Sequence, residues 1–398
     1  MSADSHPPVK AGPALAVLCG VFFAAGFGMA AIGPVVPELS TRTGASLAAL
    51  GWLSIAIFLG SLAAQFIAGP ASDRFGRRLV LAIGLVLLAA MLSIIGLAPR
   101  LAVILTAAAI YGIGYGSFSL SGNVMASELA PEKRASAVNL VNMAFGVGAV
   151  VGPLVVSVLI DRFDRALPGL WIGAGLLVLS AAAALVALPA RLPAVRAAQV
   201  AGPGGRASLR DPMLFAIGVL LLLYVGSEMS AGLWASEYLQ RSAGMDAADG
   251  AAATSLFWAL LTAGRVVAVL VGMRVSADRL LTASVWIAFA GSALLWLAHG
   301  SATASVVAFA VMGFGYGPIY PTGVAVITSR FPHAAGTATS RMGILAASGG
   351  GLLPRLQSLV LAHRPSAESA LFTLVIAAGM IGAWTVTRRA ARRPPAGA

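Results

Sequence analysis

Long apolar runs alternate with short polar segments along the 398 residues of the chain. A helix needs about 20 apolar residues to cross about 30 Å of hydrocarbon at 1.5 Å per residue. Twelve runs reach that length, and the pattern predicts an all-α membrane protein with twelve transmembrane helices joined mostly by short loops. The predicted spans are 13–37, 46–69, 79–98, 101–126, 136–160, 168–188, 212–240, 250–273, 280–298, 302–328, 335–361 and 367–387.

Charge distribution predicts the orientation of these spans. Most of the 26 Lys and Arg residues fall in loops on the side that holds both termini, among them Lys133, Arg274, Arg388 and Arg389. Because basic loops stay in the cytoplasm, we expect cytoplasmic termini. The formal charge of +12 is dispersed over loops and not gathered on one soluble face, so we expect lipid and no nucleic acid as a partner. Composition suggests a bacterial inner membrane.

An internal repeat divides the chain. Gly-Ile-Gly-Tyr-Gly at 112–116 reappears 201 residues later as Gly-Phe-Gly-Tyr-Gly at 313–317, and Pro153 maps onto Pro354 at the same offset. This repeat predicts two six-helix halves in pseudo-symmetric bundles, with a substrate site between them near mid-membrane. The predicted domains are 1–188 and 212–398, with a cytoplasmic linker at 189–211.

A charged loop between the second and third spans carries Gly69, Asp73, Arg74, Gly76, Arg77 and Arg78. It resembles the Gly-x-x-x-Asp-Arg-x-Gly-Arg-Arg signature of the major facilitator superfamily, and the resemblance covers the whole chain. That resemblance implies the family's twelve-helix fold and a gating role for Asp73, Arg74, Arg77 and Arg78, which would latch the cytoplasmic ends of the halves in the outward-facing state. The alternative is a loop that only fixes topology.

Two further segments share this resemblance. Glu128 and Arg134 lie in a segment similar to the family's Glu-x-x-Pro-x-x-Arg turn, which implies a structural or gating role. The sequence Phe-Gly-Val-Gly-Ala-Val-Val-Gly-Pro at 145–153 partly resembles the antiporter signature of drug exporters. The same glycine spacing also permits close helix packing. Ala108 stands where those exporters carry an arginine, which argues against multidrug efflux.

The seventh span, from Tyr224 to Tyr238, is similar to the fucose, galactose and glucose proton-symporter branch of the superfamily. Gly264-Arg265 in the eighth span and Gly-Phe-Gly-Tyr-Gly-Pro-Ile-Tyr-Pro-Thr in the tenth share this likeness. The branch carries a carboxylate in its first helix, whereas residues 13–37 contain no Asp or Glu.

Glu228 is the clearest ionisable group inside a span, and such groups are costly enough to mark functional sites. We predict proton coupling through it, with substrate hydrogen bonding or a structural bond as alternatives. Arg265 and Arg341 lie nearer the cytoplasmic ends of their helices, and we expect neither to touch Glu228. They would bind an anionic substrate or hydrogen-bond carbonyl groups near a cytoplasmic gate.

Neutral amides, phenols and indoles occur at the depth expected for a cavity, and they suit a hydroxyl-rich or mildly amphiphilic ligand. The candidate substrate-binding residues are Gln65, Tyr115, Asn123, Asn139, Asn142, Tyr224, Trp234, Trp258, Tyr316 and Tyr320. Pro318 and Pro321 predict a bend in the tenth span.

These features predict a monomeric secondary transporter that imports a small sugar-like solute with protons, and export of drugs or metabolites is the alternative. Enzymatic activity is not expected, because the four histidines lie in loops or at span ends. Cys19 is the only cysteine, so we expect no disulfide and no thiolate metal site. We expect no metal and no cofactor, and the chain lacks a nucleotide-binding Gly-x-x-x-x-Gly-Lys-Ser/Thr loop.

Overall fold

A computed structural model describes residues 11–190, 211–331, 335–364 and 367–391. Within these ranges the chain is helical and contains no strand. The helices are α1 (Ala11–Thr43), α2 (Leu47–Leu50), α3 (Trp52–Phe75), α4 (Arg77–Leu97), α5 (Leu101–Leu129), α6 (Arg134–Phe163), α7 (Pro168–Ala187), α8 (Pro212–Ala243), α9 (Ala247–Gly272), α10 (Ala277–Leu297), α11 (Ala302–Tyr316), α12 (Ile319–Arg330), α13 (Ala335–His363) and α14 (Ala367–Ala391).

Twelve spans long and apolar enough to cross a membrane occur in the described residues, which confirms the predicted number. Helices α2 and α3 form one span, and α11 and α12 form another. The first span continues to Thr43, beyond the predicted end at residue 37, because Pro34 and Pro37 lie inside α1 without ending it. Of the predicted linker, residues 191–210 lie outside the described residues.

The tenth span is broken where proline predicts a bend. Helix α11 ends at Tyr316, and Pro318 is the N-cap of α12. Proline has no backbone N–H and its ring clashes with the preceding turn, so it disrupts a helix interior.

The internal repeat is visible as equivalent packing. Gly112 faces α3, where an added Cβ would clash with the carbonyl oxygen of Ile57, and Gly313 faces α9, where it would clash with that of Phe257. Gly114 and Gly315 contact α4 and α10 in the same way. Small residues let backbones approach closely in membrane bundles, so the repeated glycines place corresponding helices against each other.

Contacts between α1–α7 and α8–α14 are made mainly by three helix pairs, α1 with α8, α3 with α13 and α6 with α9. Because the spans alternate in direction, α1 begins and α14 ends on one side of the bundle. We call this the terminal side, and the opposite side, where α1 ends at Thr43, the far side. The interior between the two groups of helices holds the candidate site.

Candidate functional site

A cavity lies between the two groups of helices and has two adjoining compartments. The far compartment has a volume of about 290 Å³ and is lined by α1, α3, α5, α8, α9 and α13. The polar compartment, nearer the terminal side, has a volume of about 140 Å³ and is lined by α1, α5, α6, α8 and α9. Met29, Tyr115, Met229 and Trp258 line both, so they mark the boundary between the compartments.

Glu228 and Arg265 form an ion pair in the wall of the polar compartment. The Nη2 atom of Arg265 donates to Oε1 of Glu228 at 3.3 Å, and the two side chains are 29% and 8% exposed. An ionised carboxylate withdrawn from water needs such a partner, because an isolated charge in the interior costs several kcal/mol. The pair gives the compartment both a strong acceptor and strong donors.

The expectation that Arg265 does not touch Glu228 is therefore wrong. Each depth was counted from the terminal end of its own helix, although α8 and α9 begin and end at different heights there. Counting from the short far-side loop that joins them places Glu228 15 residues before Ala243 and Arg265 18 residues after Ala247. At 1.5 Å per residue the difference in height is about 4.5 Å, which an arginine side chain bridges. The spacing along the sequence contains this difference in height, whereas only packing shows that the two side chains face each other.

Asn142 lines the polar compartment, and two hydrogen bonds hold its amide group in place. Its Nδ2 atom donates to Oδ1 of Asn123 at 2.8 Å and to the carbonyl oxygen of Val138 at 2.8 Å. Asn123 in turn donates to the carbonyl oxygen of Ser119 at 2.8 Å. Asn123 thus orients Asn142 from behind, because each bond removes rotational freedom from the amide.

Two aromatic side chains cover the boundary between the compartments. The Tyr115 ring lies edge-on to Phe118, with centroids 5.8 Å apart, and Trp258 lies edge-on to Phe257 at 5.4 Å. Gly232 makes room for the indole, because a Cβ there would come within 2.6 Å of Cζ2 of Trp258. Tyr115 and Trp258 are thereby fixed in place before any ligand binds.

Three predicted substrate contacts line neither compartment and are buried within α8–α14. Tyr224 and Tyr316 are fully buried and lie edge-on to each other, with centroids 5.8 Å apart. Trp234 donates from Nε1 to the carbonyl oxygen of Pro354 at 2.8 Å. The predicted depth did not fix the direction around each helix axis, and these side chains face neighbouring helices instead.

Three more candidates, Gln65, Asn139 and Tyr320, are exposed and are not part of either compartment's lining. Tyr320 lies at the start of α12, within electrostatic range of Glu228. Gln65 and Asn139 lie in the terminal-side halves of α3 and α6. For these three residues, contact with substrate stays a prediction.

The signature loop ties together helices of the first half. Arg77 at the start of α4 forms an ion pair with Glu128 near the end of α5, and Arg78 donates to the carbonyl oxygen of Leu188 at 3.1 Å. Arg74 stacks on the Phe75 ring at 5.2 Å. Asp73 is exposed, and among the described residues it forms no ion pair. The latch between halves stays a prediction for another state.

The remaining predicted gating residues flank these contacts on the terminal side. Arg134 is exposed at the start of α6, within electrostatic range of Glu128. Arg341 is partly buried on α13, on the terminal side of the residues that line the cavity.

Contacts between the two groups of helices concentrate toward the far side. Arg355 on α13 stacks on the Trp52 ring, with its guanidinium 4.8 Å from the ring centroid. The Oγ of Ser54 donates to the carbonyl oxygen of Gly351 at 2.8 Å. Nearer mid-height, Ser255 Oγ donates to the carbonyl oxygen of Val150 at 2.5 Å. No sequence signal indicates the Trp52–Arg355 contact, because the two residues are distant in the chain.

Sequence reasoning also missed the apolar lining of the far compartment. The side chains there include Met29, Ile57, Phe58, Val225 and Leu233. In a chain that is 59% hydrophobic, an apolar side chain facing a cavity cannot be told from one facing lipid. No sequence signal identifies these residues.

Twelve apolar spans around a central cavity with an ion pair in its wall are typical of a polytopic membrane transporter. The sequence profile of the Major Facilitator Superfamily matches residues 18–354, and the chain belongs to that family.

Relatives and solved structures agree with this assignment. Human sodium-dependent glucose transporter 1 is 22% identical over 344 residues, which is 78% of this chain and 66%, just under two thirds, of that protein. A bacterial homolog of the human lysosomal transporter Spinster, inward-facing and occupied, aligns with a TM-score of 0.77 at 14% identity, covering 96% of this chain and 98% of the other. The transporter FucP in the outward conformation aligns with a TM-score of 0.65 at 17% identity, covering 94% and 98%. At these identities the two solved structures support the fold.

Proposed function

We propose that this transporter takes up a small sugar-like solute together with protons by alternating access. The observation that carries the proposal is the Glu228–Arg265 pair in the wall of a cavity between the two halves, 1–188 and 212–398. In the cavity between its halves, a transporter of this family needs groups that bind the solute and a group that binds the coupled ion. The pair supplies both.

The polar compartment suits a neutral hydroxylated ligand. Glu228 and Arg265 balance each other's charge, so an anion gains little there, whereas a hydroxyl group can donate to the carboxylate and accept from the guanidinium. Asn142 adds an amide, and the faces of Tyr115 and Trp258 can cover C–H surface. A sugar ring requires these three kinds of group: charged hydrogen-bonding partners, a neutral amide and aromatic faces.

Proton coupling follows from the two states available to Glu228. While ionised it stays bound to Arg265, and once protonated it is neutral and releases the arginine. Protonation leaves the Arg265 charge without its carboxylate partner, and a solute whose hydroxyl groups accept from the guanidinium would compensate for that loss, so protonation and solute binding would favour each other. The human relative is named as sodium-dependent, so sodium is the alternative coupled ion. The uptake experiment therefore includes a sodium gradient.

We assign the terminal side to the cytoplasmic face of a bacterial inner membrane, because basic loops stay in the cytoplasm. The far side then faces outward, and the contacts of Trp52 with Arg355 and of Ser54 with Gly351 close the outward end. The described state is accordingly an inward-facing one. We assign Asp73, Arg74 and Arg134 to contacts formed when the cytoplasmic end closes, and we expect a monomer in lipid.

Uptake of labelled sugars into proteoliposomes tests the proposal. Native protein, Glu228→Gln and Glu368→Gln are compared under an inward proton gradient, an inward sodium gradient and no gradient. Glu368→Gln is the control, because Glu368 forms its ion pair with Arg364 on the exposed surface. We expect accumulation with the proton gradient alone, lost in Glu228→Gln while exchange without accumulation persists. Accumulation driven by sodium would overturn proton coupling, and the absence of any sugar movement would overturn the sugar assignment.

Export of drugs or metabolites is the second candidate, and the apolar lining of the far compartment is the observation that favours it. Inverted vesicles loaded with lipophilic dyes distinguish the two. Dye movement that depends on a proton gradient, in vesicles that move no sugar, would replace uptake by export.

A further inference from the structure

The far compartment has more than twice the volume of the polar compartment and offers little hydrogen bonding. It holds about 290 Å³ against about 140 Å³. Its two serine hydroxyls are already committed to backbone oxygens, Ser54 to Gly351 at 2.8 Å and Ser61 to Gly112 at 3.1 Å. A ligand bearing hydroxyls on every side would lose its hydration there without replacing it.

Apart from the aromatic side chains of Tyr111, Tyr115 and Trp258, the rest of the wall is apolar and comes from both groups of helices. Met29, Ile57 and Phe58 come from the first half, and Val225 and Leu233 come from the second. A dry apolar wall stabilises a ligand that brings apolar surface, and burial of each methylene improves affinity by about fourfold. The wall is continuous with the polar compartment through Tyr115 and Trp258.

We infer that the substrate is a glycoside with an apolar substituent, an alkyl or aryl group that fills the far compartment while the sugar ring contacts Glu228, Arg265 and Asn142. This inference rests on the proposed function for the sugar end of the ligand. Polar groups, an aromatic boundary and an apolar wall follow one another along the cavity. This order specifies both the class of ligand and the direction in which it binds. The glycosidic bond lies at the level of Trp258.

Ala347 offers a way to fill the far compartment without touching the ion pair. It lines that compartment from α13 and is absent from the lining of the polar compartment. Leu352 lies five residues further along α13 on a different face, is 47% exposed, and lines neither compartment. Ala347→Phe and Leu352→Phe therefore introduce the same aromatic side chain on one helix, the first inside the cavity and the second outside it.

The test is equilibrium binding of methyl, ethyl, propyl and butyl β-glucosides to the full chain in lipid nanodiscs, by isothermal titration calorimetry. In the native protein and Leu352→Phe we expect Kd to fall by about fourfold per added methylene. In Ala347→Phe we expect this gain to disappear, because the added ring occupies the space of the alkyl chain. Butyl-chain binding would then differ between the two variants by more than tenfold.

Different failures point to different assignments. Methyl glucoside binding with no dependence on chain length would overturn the apolar substituent and leave sugar transport standing. A chain-length gain of equal size in Ala347→Phe would show that the chain lies in lipid, and this also overturns the inference. A butyl sulfobetaine that binds as tightly as butyl glucoside would overturn the sugar end, and with it both the proposed function and the glycoside class.

Discussion

The carboxylate of Glu228 and the guanidinium of Arg265 are both shielded from water, so each depends on the other for its charge. Replacing one partner leaves a charge in the interior without compensation. Replacing both partners removes the uncompensated charge together with the attraction between the two groups. The pair is therefore a place where single and double substitutions have opposite consequences for stability.

We predict that Arg265→Gln lowers the free energy of unfolding by roughly 3 kcal/mol, the lower end of values for breaking a buried pair. The double variant Glu228→Gln/Arg265→Gln should recover most of that loss. Thermal unfolding of purified protein in detergent measures both. Arg364→Gln is the matched control, because Arg364 and Glu368 are 70% and 49% exposed and such a pair contributes about 0–1 kcal/mol. A double variant less stable than Arg265→Gln would contradict the pairing argument.

Side-chain chemistry was predictable for part of the cavity. Polar and aromatic groups are unusual at that depth of a span, which predicts cavity positions for Glu228, Tyr115, Asn142 and Trp258, and all four line the cavity. The same reasoning predicts a cavity position for Tyr316, which is buried in the core although it occupies the repeat position of Tyr115. Depth follows from numbering along a helix, whereas direction around the helix depends on neighbours.

The repeated glycines determine how close neighbouring helices lie. Gly112 on α5 and Gly313 on α11 each bring their helix against a carbonyl oxygen of the span beside it, in α3 and α9 respectively. The contact has no side chain between the two backbones, so it tolerates no added volume. Gly175 on α7 is under no such constraint, because an added Cβ there has no neighbour within 4 Å.

Gly112→Ala should destabilise the protein by about 1–3 kcal/mol, because the new methyl group overlaps the carbonyl of Ile57 and forces α3 and α5 apart. Gly175→Ala is the control. An added Cβ at Gly175, inside α7, has no neighbour within 4 Å, and replacing helical glycine by alanine stabilises by about 0.5–1 kcal/mol. Melting temperatures of the two variants should move in opposite directions. Equal shifts would mean that the repeat does not act through packing.

Contacts toward the far side hold the two groups of helices together across the whole molecule. Besides the Trp52–Arg355 stack, Gly51 in the turn before α3 lies against Ser358 on α13. A cation over an aromatic ring contributes about 0.5–2 kcal/mol, so a few such contacts are enough to bias a two-state transporter. Opening the far side requires all of them to separate.

A disulfide at the far side should trap the described state. The Cβ of a residue placed at Gly51 would lie 2.6 Å from Cβ of Ser358, and a small shift brings this into the 3.5–4.5 Å range of disulfides. In a Cys19→Ser background, Gly51→Cys/Ser358→Cys should cross-link under oxidation and lose more than tenfold of its transport rate. Reduction should restore it.

Each single cysteine variant, oxidised in the same way, is the control and should keep its rate. Mass spectrometry of the peptide pair confirms the cross-link. Transport at the native rate by fully cross-linked protein would show that the far side does not open during the cycle.

The sequence by itself determined the twelve spans, the broken tenth span and the family, because these depend on the length of apolar runs, on proline and on a local motif. Only the tertiary structure decided that Arg265 meets Glu228, that Trp52 meets Arg355, and that a large apolar compartment lies beyond the polar one. Hydropathy records whether a residue avoids water. It does not record whether that residue faces lipid, another helix or a cavity, since all three are apolar environments, and only packing distinguishes them.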